Sequence, residues 1–169
     1  MIGAVVLAAG AATRFGAPKQ QLLLNDVLAR LSTARVDEIV VVSGAHELLT
    51  AATLVHCSDW ERGPGASLRC GLAALGADVE AAVVVLADGP DLAPEAVARV
   101  IDAWRSGGVD LAAASYGGVR GHPLLIARSA WNDVPDEGLR EREPRLVPCD
   151  DLGAPGDVDV PADLPERFL

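Results

Sequence analysis

Arg14 and Lys19 stand five residues apart, just after a run of small residues that includes Ala8, Ala9 and Gly10. Small side chains let backbone N–H groups come close to anionic oxygens. Arginine grips phosphate through two parallel hydrogen bonds, and lysine adds a movable point charge. The stretch therefore has the chemistry of a polyphosphate cradle. An ordinary strand-to-helix loop with two surface cations has the same spacing, so residue types alone leave both readings open. Neither common phosphate loop is present: there is no G-x-G-x-x-G, and no Lys-Ser or Lys-Thr follows Gly16.

Asp88 opens the run Asp88-Gly89-Pro90-Asp91 after a strongly apolar stretch. A carboxylate just past the carboxyl end of a central strand can hold Mg²⁺, although Asp-Gly-Pro is also turn chemistry. Gly63, Gly65 and Ser67 surround Pro64 and Ala66, ahead of leucines at helical spacing. Such a turn presents the free N–H groups of a helix start to a ligand, unless Ser67 simply caps the helix. Residues 117–123 hold three glycines with Arg120 and His122. Their backbone is shaped around a bulky ligand, or they form a solvent-facing hairpin. Asp157 and Asp159, two apart, point the same way in an extended chain.

The elements that must position these groups follow from the apolar pattern. Residues 2–7 are short and β-branched and read as a buried parallel strand, whose exit loop is the first place to expect a ligand. Further strands are expected over 38–43, 54–57, 81–87, 109–115, 123–127 and 145–149. Helices are expected over 26–33, 45–52, 67–75 and 94–104, with a helical turn or two over 137–142. The alternation predicts an α/β protein with a mostly parallel sheet. The closeness of 109–115 to 123–127 predicts a hairpin-like, mixed element within it.

The 169 residues fit one domain spanning 1–169. Half are hydrophobic but only 4% aromatic, so the core must be built from Ala, Val and Leu. A formal net charge of −10 argues against a nucleic-acid partner. It leaves room for an anionic small substrate, because local cations and a metal invert the local field. Cys57, Cys70 and Cys149 are odd in number, far apart and without a C-x-x-C pair. The expectation is reduced thiols in a cytoplasmic protein, with neither a disulfide framework nor a zinc site. No apolar run reaches membrane-spanning length, and no Lys or Arg precedes the first one as in a secretory signal, so no membrane partner is expected.

LAAGAATRFGAPKQ, from Leu7 to Gln20, resembles the L-A-A-G-x-x-x-R-[FM]-G-x-x-K signature of sugar-phosphate and cofactor nucleotidyltransferases. It is most similar to the MobA-like group, which includes molybdenum-cofactor cytidylyltransferases. WERGPGASLRCGL, LADGPDL, RGHPLL and DVDVPADL resemble further segments of that family, so the likeness covers nearly the whole chain. The resemblance implies a three-layer α/β/α sandwich with a Rossmann-like mixed, mostly parallel sheet, as in nucleotide-diphospho-sugar transferases. It implies transfer of NMP from an NTP to an acceptor phosphate, with CTP and molybdopterin as the leading pair. Leu7, Ala8, Ala9 and Gly10 would hold the triphosphate, with Arg14 and Lys19 as its cations. Gly63, Gly65 and Ser67 would lie near base and ribose. Asp88 would be the first Mg²⁺ ligand and Asp157 or Asp159 the second. His122 would border the acceptor pocket, where Arg120 could grip the acceptor phosphate.

The chain departs from the family pattern in three places. The stretch after Lys19-Gln20 and the region between Gly44 and Trp60 are short, and Val160 replaces the late Thr of D-x-D-T-P. A second functional class therefore stands beside the first: a catalytically degenerate nucleotide- or cofactor-binding protein that assists maturation of a molybdenum enzyme. A redox enzyme is a minor third, because relatives of the family include a nicotine blue oxidoreductase.

Overall fold

In the computed structural model, which describes residues 1–10, 17–156 and 165–168, strand β1 (Ile2–Ala8) runs between β2 (Glu38–Ser43) and β4 (Ala81–Leu86) and parallel to both. Its side chains alternate. Ile2, Ala4 and Val6 enter one core and Val5 the other. The remaining strands are β3 (Thr53–His56), β5 (Leu111–Tyr116), β6 (Val119–Ala127) and β7 (Arg145–Pro148). They complete a seven-stranded sheet in the order β3-β2-β1-β4-β6-β5-β7, with only β6 antiparallel to its neighbours. Helices α1 (Ala17–Leu31) and α3 (Pro94–Arg105) cover one face through Leu24, Val27, Leu31, Val97, Val100 and Ile101. Helix α2 (Pro64–Ala74) covers the other through Leu68 and Leu72. This is the three-layer, mixed and mostly parallel α/β/α sandwich expected above.

Several elements differ from expectation for identifiable reasons. Helix α1 begins at Ala17, so Pro18 and Lys19 lie in its first turn and not in the preceding loop. Proline is tolerated there because the missing N–H would have had no partner. Residues 45–52 form no helix. The backbone of Leu49 is instead held by a side chain of α1: its N–H donates to Gln21 Oε1 at 2.8 Å, and the Gln21 amide donates back to the Leu49 carbonyl. Residues 137–142 form turns, not helix. Helix α2 starts at Pro64 with Gly63 at its N-cap, so Ser67 is a buried residue inside the helix and not its cap. Strand β6 begins immediately after Gly117 and Gly118, whose φ values of 61° and 78° make the two-residue turn that a right-twisted hairpin favours. Arg120 and His122 are therefore strand residues, not turn residues.

The expectation of three reduced thiols is overturned. Cys57 and Cys70 form a disulfide, with Cα atoms 5.9 Å apart. Cys57 follows the last residue of β3 and Cys70 sits on α2, and the β3–α2 connection folds back to bring them together. Thirteen residues of separation resemble no motif, so only the fold reveals the pair. Cys149 remains a free, buried thiol, and burial raises its pKa. Closing a loop of this length stabilises the folded chain by about 3 kcal/mol in the chain-entropy account. Denatured, unreduced protein should therefore show a single titratable thiol, and Cys70→Ser should lower stability by about that amount in urea unfolding. Three titratable thiols, or an unchanged midpoint, would contradict the crosslink.

Candidate active site

From β1 the chain moves outward through β2 and β3, then returns across β1 to β4. The crevice opens where strand order reverses, at the carboxyl ends of β1 and β4. Leu7 pairs with Leu86, and the Ala87 N–H donates to the Leu7 carbonyl at 3.0 Å. Ala9 and Gly10, which follow Ala8 at the end of β1, therefore leave the sheet beside Asp88, which is half-buried in the turn after β4. The Ala9 carbonyl accepts from the N–H of Ala45, so the loop after β2 flanks the same opening. Lys19 follows in the first turn of α1. Arg14, Asp157 and Asp159 lie outside the described residues. The chain on either side of the two late aspartates is nonetheless fixed here. The Asp91 N–H donates to the Pro155 carbonyl at 2.8 Å, Gly89 packs against Pro155 and Gly156, and Arg167 reaches Asp91 and the Pro90 carbonyl.

A cleft of about 280 Å³ opens beside this turn, on the α2 face of the sheet. Leu7, Val84, Leu86 and Leu124 form its floor, and Pro64 and Leu68 of α2 form one wall. Arg120 and His122 come from the start of β6, which runs antiparallel beside β4 and so begins where β4 ends. The loop after residue 134 supplies the opposite wall with Glu137 and Arg140. The Arg120 guanidinium donates to the Arg142 carbonyl, and the Tyr116 hydroxyl donates to the His122 carbonyl at 2.8 Å. Burial pushes the Tyr116 phenol up to about 12, so it remains a donor at physiological pH. The fold thus brings Leu7, Arg120 and His122 to one cleft, although sequence reasoning assigned them to two subsites.

The start of α2 differs from expectation in its mechanism. Pro64 has no N–H, Gly65 N–H donates to the Asp136 carbonyl at 2.9 Å, and Ala66 and Ser67 donate to the Gly63 carbonyl. No backbone N–H is left for a ligand among these positions. A Cβ on Gly65 would fall 1.6 Å from the Pro135 carbonyl oxygen, and one on Gly63 would fall 2.3 Å from that of Asp136. The glycines admit the chain's own loop. Arg69 fixes that loop by donating to the Val134 carbonyl at 2.7 Å and to the Asp136 carboxylate, which Arg62 also meets at 3.1 Å. Sequence reading missed this loop because Arg69 and Asp136 are 67 residues apart and neither belongs to a motif.

Among the described residues no three His, Cys, Asp or Glu side chains converge into a metal-binding group. Mg²⁺ does not need such a cage. It commonly takes one or two carboxylates and completes its shell with phosphate oxygens and water. A half-buried carboxylate at the mouth of the crevice fits that requirement, with Asp88 as the described donor.

The fold and crevice define a nucleotidyltransferase-type α/β domain. Residues 4–147 match the MobA-like NTP transferase domain, and the chain belongs to that family. No curated protein matches the sequence. Among solved structures, the chain is similar to Rv0371c of Mycobacterium tuberculosis H37Rv at 28% identity and a TM-score of 0.79, covering 96% of this chain and 94% of that one. A homologue from Mycobacterium sp. strain JC1 is 26% identical with a TM-score of 0.78, over 96% and 92% of the two chains. A nucleotidyl transferase from Methanothermobacter shares the fold at 18% identity and a TM-score of 0.70, over 96% and 94%.

The loop that walls the cleft responds to acid in a defined direction. The hydrogen bond from Arg69, joined by Arg62, holds the Asp136 carboxyl below the usual carboxylate range. Its stabilising contribution is complete above the ordinary carboxylate pKa of about 4 and is lost as pH falls through the depressed native value. Asp136→Asn should therefore unfold at lower urea than wild type at pH 7, and the two midpoints should converge as pH drops below about 4. A gap that stays constant across that range would remove Asp136 as its source.

Proposed function

We propose that the chain is a Mg²⁺-dependent nucleotidyltransferase that moves NMP from an NTP, CTP first among them, onto the phosphate of a cofactor precursor such as molybdopterin. The observation that carries the reading is the pairing at the crevice: the small-residue turn after β1 and Asp88 after β4 emerge side by side, joined through Leu7 and Ala87. In this reading Leu7, Ala8, Ala9 and Gly10 cradle the triphosphate, with Arg14 and Lys19 as cations against the departing pyrophosphate. An acceptor phosphate oxygen forms the new bond to the α-phosphorus while the bond to pyrophosphate breaks. Arg120 and His122, which line the cleft from the start of β6, orient that acceptor. Gly63, Gly65 and Ser67 contribute by shaping the wall beside the base, since their N–H groups are engaged elsewhere.

Asp88 would hold the metal, with Asp157 or Asp159 as a second ligand. Bound there, the ion neutralises charge on the phosphate oxygens. A manganese complex has been described for the mycobacterial relative that is 27% identical, which supports a divalent cation here. The apolar floor of the cleft favours an acceptor with a flat or apolar body ending in phosphate over a free sugar. Among the described residues no helix is long and apolar enough to cross a membrane. The NTP requirement supports the cytoplasm as the working compartment, where the Cys57–Cys70 bond would face a reducing glutathione pool. The second reading, a non-catalytic binding partner of a molybdenum enzyme, draws on the short stretch after Lys19.

A thermal-shift panel of CTP, GTP, ATP and UTP with Mg²⁺ should give the largest rise with CTP, because a ligand bound only by the folded state stabilises it. Pyrophosphate release with molybdopterin as acceptor should fall about 10²-fold or more in Asp88→Asn and in Lys19→Ala. His122→Ala should weaken acceptor use and leave the nucleotide-induced shift intact. A nucleotide shift without any pyrophosphate release favours the non-catalytic reading.

A further inference from the structure

Arg167, near the end of the chain, is wedged between two carboxylates and a carbonyl from distant parts of the sequence. Its Nη1 donates to Asp91 Oδ1 at 3.0 Å, and its Nη2 donates to Asp26 Oδ2 at 3.0 Å and to the Pro90 carbonyl at 2.9 Å. Asp26 belongs to α1, and the same Oδ2 also accepts from Arg30 Nε at 3.1 Å. Arg30 then extends Nη1 to the Leu92 carbonyl at 3.2 Å. Two arginines, one from α1 and one from the chain end, thus share a carboxylate oxygen and grip alternate carbonyls of a single turn. A third hold comes from Pro155, whose carbonyl takes the Asp91 N–H.

The gripped turn is the one that starts at Asp88. One end is fixed by β4 and the other by the buried side chain of Leu92. Between those points two turn bonds, from the Gly89 N–H to the Leu86 carbonyl and from the Leu92 N–H to the Gly89 carbonyl, shape the backbone, and Arg167 joins the Asp91 carboxylate to that of Asp26 on α1. The carboxylates of Asp91 and Asp26, which share the Arg167 guanidinium, would repel without it, so where Asp91 sits depends on Arg167. A planar guanidinium bridging Asp26 and Asp91 cancels the repulsion and sets a spacing, which a lysine ammonium cannot reproduce with parallel bonds.

We propose that Arg167 is a positioning residue: by tying Asp91 and the Pro90 carbonyl to Asp26 of α1, it fixes the turn from which Asp88 presents its carboxylate to a divalent cation. This inference rests on the assignment of Asp88 as a metal ligand made above. Groups that orient a metal ligand from outside commonly account for 10- to 100-fold in metal affinity. Arg167 therefore acts on how Asp88 is held, and touches neither cation nor nucleotide.

The test is Mn²⁺ binding to the full-length chain, read as loss of the free-ion electron paramagnetic resonance signal, with thermal unfolding in parallel. Arg167→Met should weaken Mn²⁺ binding about 10-fold or more, and Arg167→Lys should recover only part of the loss. Arg35→Met, which breaks an exposed ion pair with Asp102 on the other end of the α1–α3 face, should bind Mn²⁺ like wild type. If Arg167→Met does not fold, Asp26→Asn keeps an acceptor for Arg167 while removing a charge, and should weaken Mn²⁺ binding by a smaller factor. Variants that melt earlier but bind Mn²⁺ as tightly as wild type would make Arg167 a purely structural tie and overturn the proposal. A wild-type chain that binds no Mn²⁺, while Asp88→Asn changes nothing, would overturn the metal assignment itself.

Discussion

Everything at the crevice depends on β1 being hydrogen-bonded on both sides by parallel strands. A strand so placed is buried on both faces, which is why Ile2 to Val6 carry no polar side chain and why both cores meet along it. Parallel neighbours also force their exit loops to the same edge. Leu7 and Leu86 lie at one level, so the first turn of the signature and the Asp88 turn have no option but to emerge together. The chemistry of the site is a by-product of strand direction. No long-range contact between the two turns is required to assemble them.

The α2 face and the α1 face then do different work. On the α2 side, an apolar cleft is closed by a loop that reaches the helix start only because glycine leaves room for two carbonyls. On the α1 side, the turn carrying Asp88 is anchored by the buried Leu92 and tied by charge through Asp26, Arg30 and Arg167. One wall is apolar and shaped, and the other polar and clamped. That division suits a reaction in which an acceptor body must be buried while a polyphosphate and its cation stay in a polar setting.

Much of this was legible in the residues. The strand over 38–43 is found at Glu38–Ser43, and the helix over 94–104 at Pro94–Arg105, because β-branched runs and helical spacing in those stretches agree with local propensity. Asp88 at a strand end and the mixed hairpin were equally readable. What failed needed the third dimension. Residues 45–52 have a helix-forming composition, yet two hydrogen bonds between Leu49 and the Gln21 side chain, one in each direction, hold the chain in another path. Cys57 and Cys70 meet only because β3 and α2 fold onto each other. The free N–H groups that the sequence suggests at Gly63 and Gly65 are engaged within the chain, and both glycines make room for carbonyls of residues 135–136, which no local pattern reveals. Arg167 lies beyond every recognisable motif, and its partners are 76 and 141 residues away.

The antiparallel direction of β6 has a consequence for how such a domain can diversify. Parallel strands deliver loops to the crevice, whereas β6 delivers its own first residues: Arg120 is paired with Ser115 of β5, and His122, in the bulge that follows, is held by the Tyr116 hydroxyl on its carbonyl. The turn that precedes them, Gly117 and Gly118, faces open space, and Val119 is largely exposed. Insertions at such a tip are tolerated without disturbing the strands behind it. The hairpin is therefore an interchangeable module: its tip can lengthen while the turns that leave β1 and β4 stay as they are.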